Sequence, residues 1–208
     1  MKFALVGQPN CGKSTLFNQV AGYKAETGNF SGTTITFTES KVRVLGEVVD
    51  LVDLPGTYTL AGTNPAEAEV LRYLTHHSVD AIINVVDASH LSQGLNLTIE
   101  LLELGRPMIV ALNMMDEAAR MGMEINGPLL QEKLDVDVLP LIASKGRGVR
   151  KVFTTAFEVA QQQFAPSRPI YSLDLETAIT SIIPNLEGQP TALQDPGLAL
   201  KLLEDNSD

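Results

Sequence analysis

The segment GQPNCGKST at residues 7–15 constrains the fold of this chain more than any other. It fits G-x-x-x-x-G-K-[ST], follows a short apolar run read as a strand (Lys2–Val6), and precedes a helical pattern over Lys13–Ala21. A strand, a glycine-rich turn and a helix in that order make an anion cradle. Gly7 and Gly12 let the backbone approach phosphates closely, and the N–H groups from Asn10 through Cys11 to Thr15 form an inward-facing nest. Lys13 brings a point charge to the β- and γ-phosphates, the Ser14 hydroxyl suits Mg²⁺, and the helix adds the positive end of its dipole.

The rest of the first 164 residues continues the pattern that such a cradle requires. Further strands read as Thr36–Leu45, Glu47–Leu51, Ala81–Val86, Met108–Leu112 and Val136–Leu139. Helices read as Pro65–Thr75, Leu91–Leu104, Met115–Gly122, Gly127–Leu134 and Val149–Phe164. Strands such as AIINVV and MIVAL are continuously apolar, which predicts a sheet covered on both faces. The expected architecture is α/β: a mixed, mostly parallel six-stranded sheet with helices on both faces, with Thr36–Leu45 and Glu47–Leu51 as an antiparallel hairpin turning at Gly46.

Two prolines in APSRP, residues 165–169, end this pattern and divide the chain into units 1–164 and 165–208. The second unit reads as helical, with a stripe of Leu173, Leu175, Ala178, Ile179, Ile182 and Ile183, then a helix start at Asp195 and Pro196. Such a short unit needs a surface to cover its stripes: the first unit, a second copy, or further residues. A homo-oligomer is therefore left open.

A net charge of −10 argues against a nucleic-acid partner, whose phosphate backbone needs a basic footprint; the basic residues cluster only at Lys145–Lys151. The single cysteine excludes an internal disulfide and fits a reducing compartment. The N-terminus turns polar too early for a signal peptide, and no apolar run reaches the ~18 residues needed to span a bilayer. A cytoplasmic location is expected.

DLPG, residues 53–56, supplies a second metal anchor about 40 residues after the cradle lysine. Asp53 is expected to hold Mg²⁺ through a water, and the Gly56 N–H to meet the γ-phosphate. In Ras-like proteins the next residue is a glutamine that orients the attacking water, whereas here it is Thr57, too short for that task. Between the two anchors, GNFSGTT (28–34) reads as a mobile loop. Thr34 is the candidate to reach Mg²⁺ when a γ-phosphate draws the loop in, with Thr33 or a purely structural loop as the alternatives.

The base end is read from ALNMMD, residues 111–116. Asp116 can accept the N1–H and 2-amino donors of guanine; adenine offers neither, a difference worth about 10⁴ in selectivity. Asn113 is expected to brace this loop against the phosphate cradle. Met114 stands where a lysine is usual, so it covers the base by apolar contact only. In LIASKGRG (141–148), Ala143 is expected to give its N–H to guanine O6, with Ser144 beside it, while Ile142 replaces the usual serine. These elements in this order predict a Ras-like P-loop domain that binds GTP or GDP with Mg²⁺.

GQPNCGKSTLFN (7–18), GNFSGTT (28–34), DLPGTYTL (53–60), INVVDASHL (83–91), LELGRPMIVALNMMDEA (102–118) and SKGRGV (144–149) together resemble the N-terminal G domain of the bacterial ferrous iron transport protein B family. The run LALKLLE (198–204) looks like part of that family's helical, GDP-dissociation-inhibitor-like domain. The resemblance implies a GTPase switch that regulates Fe²⁺ uptake through a membrane domain C-terminal to it, on the cytoplasmic side of an inner membrane. It also implies K⁺ in place of the missing glutamine. Asn10 matches the asparagine that holds the ion, and Gly28 and Phe30 match the positions whose carbonyls help, although the family commonly has Trp where Phe30 stands. On this reading Asn10, Lys13, Thr34 and Gly56 carry catalysis, and Ser14, Thr34 and Asp53 hold Mg²⁺. No iron is expected on this chain: His76, His77 and His90 lack ligand spacing. Cys11 reads as either a small filler or a regulatory thiol. Two other readings are a GTPase of the tRNA-modification or ribosome-assembly type, and a nucleotide sensor that does not hydrolyse.

Overall fold

A computed structural model describes residues 1–22, 25–30 and 33–167 of the 208-residue chain. Its core is one sheet built from β1 (Lys2–Gly7), β2 (Glu26–Asn29), β3 (Thr36–Val44), β4 (Glu47–Asp53), β5 (Ala81–Asp87), β6 (Met108–Asn113) and β7 (Val138–Pro140). The spatial order is β2-β3-β4-β1-β5-β6-β7. Strand β1 lies parallel to β4 and β5, and β6 and β7 continue the parallel part. Strands β2, β3 and β4 pair antiparallel at the other edge.

The sheet has seven strands rather than the six read from the sequence. The added strand, β2, is ETGN, whose residues are mostly exposed and whose last two, Gly28 and Asn29, begin the stretch read as a loop. An edge strand that buries no face leaves no hydrophobic alternation to detect. The hairpin is found as expected, with Leu45 (φ 51) and Gly46 (φ 91) at its turn.

Alternation along each strand feeds two separate cores. Phe3 and Leu5 of β1 face one layer, where α1 (Lys13–Val20) and α6 (Val149–Gln162) contribute Leu16, Phe17, Val152, Phe153, Ala156 and Phe157. Ala4 and Val6 face the opposite layer, with Val70, Tyr73 and Leu74 of α2 (Pro65–His76) and Leu97 and Leu101 of α3 (Leu91–Glu103). The shorter α4 (Met115–Arg120) and α5 (Gly127–Leu134) complete that second layer through Ala118, Leu130 and Leu134. The central strands are buried on both faces, as their apolar runs predict.

Local signals place the helix starts. Asn64 accepts the Glu67 N–H at 3.0 Å ahead of Pro65, and Asn126 accepts the Leu129 N–H at 3.0 Å ahead of α5. The helical unit read over 165–208, with its stripe and its LALKLLE run, lies outside the described residues from 168 onward.

Candidate functional site

The carboxyl ends of β1, β4 and β6 bring the sequence motifs to one edge of the sheet, where ligands of open α/β folds gather. The turn from β1 into α1 is tight. A Cβ on Gly7 would sit 2.4 Å from the Val85 carbonyl oxygen, and one on Gly12 (φ +87) would sit 2.2 Å from Asn113 Nδ2. Asn10 adopts φ 65, a left-handed conformation that Asn tolerates better than most residues. A cavity of about 490 Å³ opens over this turn, walled by Asn10, Gly12, Lys13, Ser14, Thr15, Gly56 and Met114 among others. The DLPG turn closes against it, since a Cβ on Gly56 would meet Pro9 backbone atoms at 3.0 Å.

Lys13, Ser14 and Asp53 form one polar knot at the base of the cavity. The Lys13 ammonium donates to Asp53 Oδ1, and the Ser14 hydroxyl donates to Asp53 Oδ2 at 2.8 Å. Lys13 and Asp53 are both buried. A hydroxyl and a carboxylate meeting there are the hard oxygen donors that Mg²⁺ takes, so these residues fit the ion.

Thr57 is occupied elsewhere. Its N–H donates to the Gly7 carbonyl at 3.1 Å and its hydroxyl to the Thr59 carbonyl at 2.7 Å, with the residue only 2% exposed. It ties the DLPG loop to the end of β1. Two carboxylates that the sequence reading missed hold the rest of that loop. Glu100 of α3 accepts the Leu60 N–H, and the buried Glu67 accepts the Thr63 hydroxyl at 2.6 Å and its N–H at 3.1 Å. Neither has a local sequence signal, because each pairing depends on how the loop folds back.

The segment expected to supply Thr34 and the carbonyls of Gly28 and Phe30 is not on the cavity wall among the described residues. Gly28 sits in β2 opposite Phe37. Phe30 is 5% exposed, its ring 5.0 Å from Phe37 and 6.0 Å from Tyr73 of α2. Its carbonyl accepts the Thr33 N–H at 3.1 Å and the Thr33 hydroxyl at 3.3 Å. Thr33 therefore closes a local turn, and Thr34 is exposed.

The base end is organised by Asn113, 3% exposed at the end of β6. Its Nδ2 donates to the Cys11 carbonyl at 2.9 Å and its Oδ1 accepts the Ala143 N–H at 2.9 Å. One amide thus braces both loops, as expected. The second bond corrects the role read for Ala143, because the N–H assigned to guanine O6 is already donated to Asn113. Asp116 accepts a hydrogen bond from the Lys145 ammonium at 2.6 Å, and that bond, with the lysine's charge, holds its carboxyl below the usual range. Met114 takes φ 59 and lies near Gly12.

Cys11 is 1% exposed, and burial pushes its thiol up to about 11. This is the chemistry of a small filler rather than a reactive thiol. His77 stacks on Tyr73 with ring centroids 4.2 Å apart, and His90 lies 3.1 Å from Asp87. Among the described residues no three His, Cys, Asp or Glu side chains gather to hold a metal, and no helix is long and apolar enough to cross a membrane.

The family model described as "Ferrous iron transport protein B" matches residues 1–156. The Fe(2+) transporter FeoB of Escherichia coli is 42% identical over 153 residues, 72% of this chain and 20% of that protein. A fusion of Fe(2+) transport protein A with FeoB from Porphyromonas gingivalis is 34% identical over 211 residues, 98% of this chain and 25% of that protein. The chain thus spans a fifth to a quarter of the curated relatives it matches. Among solved structures, a GDP-bound mutant of S. thermophilus NFeoB superposes with a TM-score of 0.90 at 35% identity, over 100% of this chain and 80% of that one. The cytosolic domain of L. pneumophila FeoB gives a TM-score of 0.88 at 30% identity, over 99% of this chain and 88% of that one.

Proposed function

The chain belongs to the ferrous iron transport protein B family, and from that premise we propose that it is a GTP-binding, GTP-hydrolysing switch domain that regulates Fe²⁺ uptake. It acts on the cytoplasmic side of an inner membrane, as the part of a longer transporter that precedes the membrane domain. The carrying observation is the double bond set of Asn113, which joins the phosphate loop at Cys11 to the base loop at Ala143 beside Asp116. The GDP bound to the S. thermophilus relative supports the choice of nucleotide.

In this reading the N–H groups of residues 10–15 and the Gly56 N–H take the phosphates, and Lys13 leaves Asp53 to reach the β- and γ-oxygens. Ser14, Thr34 and Asp53, the last through a water, would hold Mg²⁺, whose charge would offset that of the phosphates. Asp116 reads the N1–H and 2-amino group of guanine. With the Ala143 N–H committed to Asn113, the O6 contact passes to the Ser144 N–H.

The Thr57 hydroxyl, donated to the Thr59 carbonyl, is no substitute for a water-orienting amide. Asn10 with the Gly28 and Phe30 carbonyls would hold K⁺, whose positive charge would supply what the missing amide does not. Gly28 lies in the β2–β3 ladder opposite Phe37 and the Phe30 carbonyl accepts from Thr33, away from the cavity that Asn10 lines. Hydrolysis is accordingly slow in the isolated domain.

The engaged Thr57 also favours a second reading, a guanine-nucleotide sensor that binds without hydrolysing. Phosphate release measured in KCl and in NaCl, for the wild type and Asn10→Ala, separates the two. We expect hydrolysis faster in KCl and loss of that difference in Asn10→Ala. Equal, negligible rates in both salts leave only the sensor. A GTPase of the tRNA-modification or ribosome-assembly type would instead reveal itself by salt-sensitive RNA binding, which the charge of −10 opposes.

A further inference from the structure

We infer that Lys145 is a positioning residue for Asp116, holding the carboxylate that reads the purine edge in a loop that lacks the usual serine. The inference rests on the guanine-nucleotide reading above and deepens it.

The backbone that carries Lys145 is fixed on several sides. It closes the single 3-10 turn Ala143–Lys145, whose first N–H is held by Asn113 Oδ1 at 2.9 Å. The Lys145 N–H donates to the Ile142 carbonyl at 3.0 Å, and the Gly146 N–H to the Ala143 carbonyl at 3.1 Å. Ile142 and Arg147 then exchange both backbone bonds, at 3.0 and 3.2 Å, across the mouth of the loop. A long side chain springing from so constrained a root reaches a narrow region of space. It ends on Asp116 Oδ2 at 2.6 Å.

Asp116 needs such a restraint. It stands in the first turn of α4, a helix of six residues, where its carboxylate meets the backbone N–H groups of Asp116 and Glu117, and Lys145 is the side chain that bonds it from another loop. Met114, in the position where a lysine is usual, is turned the other way: its methyl carbon lies 3.6 Å from where a Cβ on Gly12 would be. Ile142 offers no hydroxyl. One ammonium proton fills one of about four acceptor sites on a carboxylate. The lysine takes a single site, on Oδ2, so it and the base can share the group. The lysine also keeps it ionised, in agreement with the lowered pKa.

A structural role makes a different forecast. The Lys145 side chain is 56% exposed and that of Asp116 28%, so the pair contributes little to folding. Removing it should change nucleotide binding and leave the melting temperature alone.

The test titrates a fluorescent GDP against the whole chain as wild type, Lys145→Met and Lys145→Arg. Lys145→Met keeps the stem and drops the charge; we expect GDP to bind about five- to tenfold more weakly, with Lys145→Arg within about twofold of wild type. The melting temperature without nucleotide should not move. A second background, Asp116→Asn probed with xanthosine diphosphate, removes the carboxylate, and there Lys145→Met should change affinity by less than about twofold. Equal GDP affinity for wild type and Lys145→Met overturns the inference. So does an equal loss in both backgrounds, which would mean that the lysine acts on phosphate charge instead. A wild-type chain that binds no GDP overturns the guanine reading, and this inference with it.

Discussion

The ammonium of Lys13 rests on the carboxylate of Asp53, and the two side chains are buried together under the phosphate loop. The pair matters before any phosphate arrives. Removing one partner strands the other charge in a site shielded from water, which costs far more than the pair itself contributes. Lys13→Ala should therefore lower unfolding free energy by about 3 kcal/mol or more, measured by urea denaturation without nucleotide. Replacing both groups, as Lys13→Met with Asp53→Leu, should recover most of that loss. A Lys13→Ala variant as stable as the wild type would show that water reaches Asp53.

Phe30 fastens the segment between β2 and β3 to α2 through Phe37 and Tyr73. Truncating a buried phenylalanine costs about 3 kcal/mol or more, here charged mainly to local opening. In Phe30→Ala, amide hydrogen exchange over residues 26–29 and 36–39 should accelerate by about one to two orders of magnitude, while β5 and β6 keep their protection. Unchanged exchange at 26–29 would mean that the β2–β3 pairing alone holds the segment.

Cys11 gives a pH dependence of known sign. Its thiol rises from 9.0 to about 11 on folding, because burial penalises the thiolate. The folded chain keeps its proton where the unfolded chain has lost it. The stabilising contribution is whole below pH 9 and falls away as pH climbs through 11, a loss of about 2–3 kcal/mol. Denaturation curves between pH 8 and 11 should fall more steeply for wild type than for Cys11→Ala. Alkylation of the native thiol at neutral pH should be slow, and rapid labelling would contradict the burial.

Much of this was legible in the sequence because the decisive signals are local. The cradle glycines, the lysine after them and the apolar strands are short-range patterns, whereas the direct bonds that Lys13 and Ser14 make to Asp53, about 40 residues on, are not. Strand β2 was hidden because ETGN pairs at an edge without burying a face. The Ala143 N–H was misassigned because spacing cannot say which of two acceptors, an Asn113 oxygen or a purine oxygen, takes a given donor. Glu67 and Glu100 were missed for a related reason. Each is an ordinary helix-surface acid until a loop folds over it.

Asn113 grips both of its loops by main-chain atoms, the Cys11 carbonyl and the Ala143 N–H. Neither bond depends on which side chain stands at 11 or 143, only on its being small enough to stay buried. The seam between the two loops is therefore tolerant of sequence drift at both ends and intolerant at one point, the amide between them. A loop with Ile142 in place of a serine could be accepted without disturbing the clamp, and related loops could be exchanged between proteins by grafting, provided that the asparagine is left in place.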